Sequence, residues 1–450
     1  MKKSLLSEIV NLQNMGQTRG VASICSAHPT VLEAALRHGL LHGQAVLIES
    51  TCNQVNQFGG YTGMKPAEFV AFVGRLARII GFPEDNLILG GDHLGPNPWQ
   101  DETADVAMGK AKELVRRYVS CGYTKIHLDA SMKCADDEKD RPLPKRIAAQ
   151  RAAEMALVAE EALKQSRHKI APHYVIGTEV PVPGGAQEHE ETVEVATAEE
   201  AAETIEISRQ AFLQKGLDEA WQRVIAVVVQ PGVEFGDSSL FEYDALQAAH
   251  LSRLIEAYDN LVYEAHSTDY QTREKLRELV RDHFAILKVG PGLTFAYREG
   301  VFALAMIEEE WLSGKQGIEL SNLLQVVEEV MLQDPAYWRS YYPGETWEQR
   351  FSRRYSFSDR IRYYWPVPQV QSALNRMLEN LSKRPIPLTL LSQYMPVQAK
   401  SVRQERLSNS PEALLLDKVF RVLDDYAFAC RPELASRQAK TLPHQPLLQL

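Results

Sequence analysis

Acidic and imidazole side chains stand at the ends of short apolar runs in this chain: Glu49 in Glu49-Ser50-Thr51, the pair Asp92-His93, Asp129 in Asp129-Ala130-Ser131, Glu179, and Glu264-Ala265-His266. A neutral imidazole nitrogen of His93 can ligate a divalent metal while the adjacent Asp92 passes a proton to a substrate oxygen. A catalytic zinc asks for about three protein ligands and an open position. His266 and Glu179 are the natural additions to His93. Each also has a plainer reading, His93 as a hydrogen-bond partner of neighbouring loops and Glu179 as half of a buried salt bridge.

Two further segments suit an anion. Lys288-Val289-Gly290-Pro291-Gly292-Leu293-Thr294 and His266-Ser267-Thr268 close the last two apolar runs. Free backbone N–H groups at Gly290 and Gly292, with the hydroxyls of Ser267, Thr268 and Thr294, can hold a phosphate. Tight turning alone also explains such glycines. The stretch 179–188, with Gly184-Gly185 and Glu188, reads as a loop from its prolines and glycines. The acidic run 135–140 reads as solvated charge, and His28, His38 and His42 as surface or supporting residues rather than ligands. No G-x-x-x-x-G-K-[ST] and no G-x-S-x-G occur, which argues against a P-loop kinase and a serine-hydrolase elbow.

The elements that must position these residues are eight short apolar runs, at 21–25, 45–49, 87–89, 125–129, 173–178, 224–229, 261–264 and 284–289. Runs rich in Val and Ile without polar alternation fit strands buried on both faces, as in a parallel sheet covered by helices. The intervening segments carry helix signals. Pro66 opens an apolar stripe through Phe69, Val73, Leu76 and Ala77, and Thr197 with Glu200 makes a capping box. Eight strand-helix units predict a closed (β/α)₈ TIM barrel over residues 1–314, with its site at the carboxyl ends of the strands. An open doubly wound sheet is the alternative, but no G-x-G-x-x-G follows the first run. Residues 315–450 read as a helical, aromatic-rich extension packed on the barrel, with a loosely ordered tail at 436–450. Its aromatics can also serve a partner surface.

With 59 acidic against 49 basic residues, the chain lacks the positive field on which nonspecific binding to nucleic acid or anionic membrane rests. Five cysteines without a C-x-x-C pair suit a reducing compartment. No apolar run reaches the roughly 20 residues of a membrane span. These features predict a cytoplasmic protein with small-molecule or protein partners.

The order of strand-end motifs, over about residues 9–302, resembles class II fructose- and tagatose-bisphosphate aldolases. Asp92-His93 is similar to the family's pair of proton donor and zinc ligand. Ile126-His127-Leu128-Asp129-Ala130-Ser131 is similar to its fourth-strand motif, Gly177-Thr178-Glu179 with Gly184-Gly185 and Glu188 to its glutamate and double-glycine loop, and Glu264-Ala265-His266-Ser267 to its seventh-strand histidine turn. The sixth strand departs from the pattern. Catalytic members place a zinc-binding histidine just after it, whereas no histidine occurs from 226 to 249 here. The resemblance thus implies a degraded zinc site of His93 and His266, with Glu179 or Glu234. Loop eight also has Gly290-Pro291-Gly292 in place of an asparagine-containing strand end.

Over nearly the whole chain, a closer resemblance is to the non-catalytic subunit of bacterial D-tagatose-1,6-bisphosphate aldolase. It rests on Ser26-Ala27-His28-Pro29, Glu49-Ser50-Thr51-Cys52-Asn53-Gln54-Val55-Asn56-Gln57, Gly59-Gly60-Tyr61-Thr62-Gly63-Met64, Gly91-Asp92-His93-Leu94-Gly95-Pro96-Asn97 and the segment from Gly177 to Gly185. That resemblance implies an accessory, chaperone-like subunit that keeps a separate catalytic aldolase subunit active and stable, in galactitol or N-acetylgalactosamine catabolism. Its implied ligand is a sugar phosphate, with self-association left open and Asp92 either vestigial or a proton donor. The competing reading is a metal-dependent aldolase or C4 epimerase acting on a ketose phosphate in its own right, through Asp92, His93, Glu179 and His266. Members are often labelled tagatose-6-phosphate kinases, a label that the missing kinase motifs do not support.

Overall fold

A computed structural model describes residues 4–168, 170–180 and 193–431. Gly184, Gly185 and Glu188 of the expected double-glycine loop, and the tail 436–450, lie outside the described residues. Eight parallel strands close into a barrel: β1 (Val21–Cys25), β2 (Val46–Thr51), β3 (Leu87–Leu94), β4 (Lys125–Asp129), β5 (His173–Gly177), β6 (Val224–Val228), β7 (Val262–Ala265) and β8 (Phe284–Val289). β1 pairs with both β2 and β8, so no edge is left open.

The strands are buried on both faces because each face meets a different core. Outward residues such as Ile48, Ile126, Leu128 and Ile176 pack under the surrounding helices. Inside the amino-terminal half of the barrel, Leu47, Val175, Val228, Val262 and Ile286 meet Leu6, Ile9 and Val10 of the helix Leu5–Asn14, which plugs that end. Side chains alternate along a strand. Two places after Leu47, Val262 and Ile286 come Glu49, Glu264 and Lys288, so the same inward row turns from apolar to charged.

β3 runs five residues beyond the apolar run 87–89, through Gly90-Gly91-Asp92-His93 rather than opening into a loop at Gly90. Its ladder with β2 continues as Glu49↔Gly90, Ser50↔Gly91 and Thr51↔Asp92. A Cβ on Gly90 would lie 2.7 Å from Glu49 Cγ, and one on Gly91 2.7 Å from the Tyr118 ring. Glycine therefore makes room inside the strand. The helix signals act as read: Pro66 begins Pro66–Ile80, and at Ala198–Gln214 the Thr197 hydroxyl accepts from Glu200 N–H while the Glu200 carboxylate accepts from Thr197 N–H.

Beyond the helix Pro291–Leu312, helices Leu323–Gln333, Thr346–Tyr355, Pro368–Ser382, Leu388–Tyr394, Pro396–Arg403 and Pro411–Cys430 complete the described chain. Trp338, Tyr342, Tyr364 and Trp365 are buried in one continuous core with the barrel's helical layer. The last helix lies against Pro29–His42, Arg273–Arg281 and Pro291–Leu312. A buried Arg298–Asp359 pair (3.2 Å) ties the middle of this segment to the barrel.

Candidate functional site

The carboxyl half of the barrel interior is a network of buried charges. Lys125 Nζ, with no solvent exposure, sits 2.6 Å from Glu49 Oε1 and 2.6 Å from Glu264 Oε2. Lys288 Nζ lies 2.8 Å from Asp92 Oδ1 and 3.8 Å from Glu264 Oε1, and also contacts the Glu49 carboxylate. Burial disfavours the charged forms of Lys288, Asp92 and Glu264, but mutual attraction overrides it. Lys288 is thereby held well above the ordinary lysine value, and Asp92 and Glu264 well below the carboxylate range.

Three imidazoles stand over this network. His93 Nδ1 donates to Asp129 Oδ2 at 2.7 Å. Burial opposes protonation of His93, yet Asp92 and Asp129 more than compensate and raise its pKa. His266 Nε2 lies 3.1 Å from Glu264 Oε1, edge-on to His93 with ring centroids 4.8 Å apart. Burial pushes His266 down to about 3. It is therefore neutral, and its Nε2–H donates to Glu264. His127 Nδ1 is 3.1 Å from Asp92 Oδ1, and its buried Nε2 makes no hydrogen bond. His93 and Ser267 take left-handed backbone conformations (φ 46° and 53°), the kind of local strain that collects at binding sites.

Above the charges opens a cavity of about 400 Å³. Asp92, His93, His266 and Lys288 reach it from the strands, Asn53, Gln54 and Tyr61 from the loop after β2, and Arg362, Tyr363 and Trp365 from the C-terminal segment. The Tyr363 hydroxyl accepts from Arg360 (2.9 Å) and Arg362 (3.1 Å). Burial raises the phenol's pKa, but the two guanidinium groups outweigh it and leave the pKa below the usual tyrosine value.

The residues expected from sequence are only partly brought together. Asp92, His93 and His266 converge. Glu179 does not join them: β5 ends at Gly177, and Glu179, 62% exposed, turns outward to Lys145 at 3.4 Å. Glu234 is buried in a hairpin of Glu234–Phe235 with Leu240–Phe241, where its carboxylate accepts from the Phe235 N–H at 2.9 Å. Neither belongs to the group of ligating atoms formed by Asp92, His127, Glu264 and His266, and His93, expected as a ligand, is not in it either, its Nδ1 being held by Asp129.

The expected phosphate donors have other partners. Gly290 and Gly292 N–H both donate to Asp269 Oδ1, at 2.9 and 2.7 Å. This carboxylate takes the anion's place. Thr268 Oγ1 donates to the Lys288 carbonyl at 2.6 Å, and Thr294 Oγ1 donates to Asp359 Oδ2 at 2.6 Å. Ser267 lines the cavity. The free N–H cradle expected at loop eight is thus filled from within the chain.

Sequence reading gave Lys125 no place in the site and quoted Lys288 and His127 only within longer motifs, without a role of their own, although a signal exists. Each is a polar residue inside an apolar strand run, at the same inward parity as Glu49 or Glu264. Arg362 and Tyr363 carried no such signal.

The same geometry tests a zinc ion. Bound at about 2.1 Å from Asp92 Oδ1, with Lys288 Nζ 2.8 Å from that oxygen, the ion would lie within about 5 Å of the ammonium and meet about 7 kcal/mol of repulsion at an effective dielectric of 20. His127 turns Nδ1 toward this place, 3.1 Å from Asp92 Oδ1 and 3.9 Å from Glu264 Oε1, and that nitrogen is already hydrogen-bonded. The carboxylates are already compensated, so the donor set does not fit a divalent metal while Lys288 is in place.

Fold and site together define a (β/α)₈ barrel protein whose carboxyl face holds a lysine-centred charged pocket. The chain belongs to the D-tagatose-1,6-bisphosphate aldolase subunit GatZ/KbaZ-like family, whose profile matches residues 6–431. It is similar to a solved structure described as a probable tagatose 6 phosphate kinase from Sinorhizobium meliloti 1021, with 46% identity, 92% of this chain and 100% of that chain covered, and a TM-score of 0.83. The fructose-bisphosphate aldolase of Campylobacter jejuni is 12% identical over 84% of this chain and 91% of that one, with a TM-score of 0.43. No helix among the described residues is long and apolar enough to cross a membrane.

Proposed function

We propose that this protein is an accessory, chaperone-like subunit that binds the catalytic chain of a D-tagatose-1,6-bisphosphate aldolase and keeps it active and stable, in cytoplasmic galactitol or N-acetylgalactosamine catabolism. The observation that carries this reading is the lysine at the centre of the barrel mouth, where metal-dependent aldol chemistry needs a vacant ligand set. The absence of a histidine between 226 and 249 supports it. So does an apolar stripe on the helix Thr346–Tyr355: Trp347, Phe351 and Tyr355, spaced four apart, are 66%, 56% and 49% exposed. Three exposed aromatics on one helical face suit a protein partner. The cavity, with Arg362 lining it, retains room and a guanidinium for a sugar phosphate.

The test is co-expression. The catalytic chain should co-purify with this protein and resist thermal inactivation longer than when produced alone. A catalytic chain that is neither bound nor stabilised sinks the proposal. A metal-dependent aldolase or C4 epimerase acting alone is the reading that assays with tagatose and fructose phosphates would then have to support, since Asp92, His93 and His266 do face the cavity.

A further inference from the structure

We propose that the ammonium of Lys288 is the resident cation of this site, standing where a divalent metal would otherwise be held, and that Asp92, His127, Glu264 and His266 form a latent metal site uncovered only when Lys288 is removed. The ligating atoms of those four buried residues lie within 4.8 Å of one another, a spacing that one ion can bridge. Lys288 Nζ already contacts two of them, Asp92 Oδ1 at 2.8 Å and Glu264 Oε1 at 3.8 Å. On the far side, Lys125 neutralises the second oxygen of Glu264 and the facing oxygen of Glu49. His127 joins the group through Nδ1, 3.1 Å from Asp92 Oδ1 and 3.9 Å from Glu264 Oε1.

A cation carried on a side chain cannot dissociate, and a chelator cannot remove it. It also changes what a ligand meets. Because Lys288 lines the cavity, a ligand oxygen there faces a hydrogen-bond donor of fixed reach rather than a Lewis acid with exchangeable positions. The same residue keeps the charge of the barrel mouth while withdrawing its metal chemistry.

The experiment is Co(II) titration of the full-length protein, followed by visible absorption and calorimetry. His38, His42 and Asp424, and separately Cys25, Glu49 and Asp92, form two further groups of ligating atoms, so His42→Ala and Cys25→Ser are placed in every sample to silence them. With Lys288 present, we expect no saturable Co(II) site and a Tm indifferent to chelator. Lys288→Met should bind Co(II) roughly a hundredfold more tightly or better, with visible absorption bands and a higher Tm, and adding His127→Ala or His266→Ala should abolish both. Saturable binding to the Lys288 protein that is lost on His266→Ala would overturn the proposal. So would a folded Lys288→Met protein that gains no binding. If Lys288→Met does not fold, Lys288→Gln, which keeps most of the length and the polarity of the side chain, replaces it and is held to the same two outcomes. None of these readouts involves the aldolase partner, so they stand or fall separately from the subunit reading.

Discussion

The two halves of the barrel interior use the same strands to opposite ends. Toward the amino end, Leu47, Val262 and Ile286 pack with an N-terminal helix into an apolar plug. Two residues further along, Glu49, Glu264 and Lys288 build a polyelectrolyte. The apolar half is held by burial, which is non-directional and tolerates repacking. The charged half is held by pairings that each need a partner, so removing one member strands another. The lesson is that the two halves contribute to the fold by different physics, and that the upper half also sets what the pocket can bind.

Breaking that comparison should be costliest in the upper half. Lys125→Met leaves Glu49 and Glu264 without their 2.6 Å partner and should cost about 3–5 kcal/mol in urea unfolding, because buried charge is left uncompensated. Adding Glu49→Gln should recover part of that loss. A cost below about 1 kcal/mol for the single variant would mean that the network is not ion-paired. Leu47→Ala, in the plug, should cost about 2–4 kcal/mol from lost burial and a cavity. That cost should not change between mildly acidic and neutral pH, which separates the two mechanisms.

The pH dependence of the unmodified protein sharpens the contrast. Burial lowers His28 and His173 to about 4 and His266 to about 3. Below the unfolded-state value of about 6.5, the unfolded chain takes up protons at these three positions that the native state refuses, so stability falls as pH drops toward about 4. Asp269, raised by burial to about 6, works in the opposite sense over part of that window, since it is protonated first in the native state. It offsets one histidine of the three. His93, raised in the folded state, adds stability that is fully present below about 6.5 and is lost as pH rises through its native pKa. Thermal melts across pH 4–8 should therefore show a maximum near neutrality; a Tm that rises steadily on acidification would contradict the buried, neutral histidines.

The smallest effect on stability is expected at the exposed stripe. Trp347→Ala with Phe351→Ala should shift unfolding by less than about 0.5 kcal/mol per residue, as solvent-facing substitutions do. It should nevertheless weaken co-purification with the catalytic chain. An unchanged association would move the partner surface elsewhere.

Much of the fold was legible because its signals are local. Continuous apolar runs marked all eight barrel strands, Pro66 and the Thr197-Glu200 box marked helix starts, and strand-end polar residues marked the functional face. The inward parity of Glu49, Glu264 and Lys288 is also written in the sequence, since alternation along a strand needs no tertiary information. Tertiary structure decided everything that depends on closure. Only the closed barrel sets Lys288 against Glu49, 239 residues away in the chain, and so places an ammonium among the candidate metal ligands. Only the fold turns Glu179 out to Lys145, fills the Gly290 and Gly292 N–H groups with Asp269, and brings Arg362 and Tyr363 over the mouth. Residue type and periodicity determine which groups face inward; which of them meet, and whether a charge is left to bind a ligand or is cancelled by a neighbour, is set by long-range geometry that no local pattern encodes.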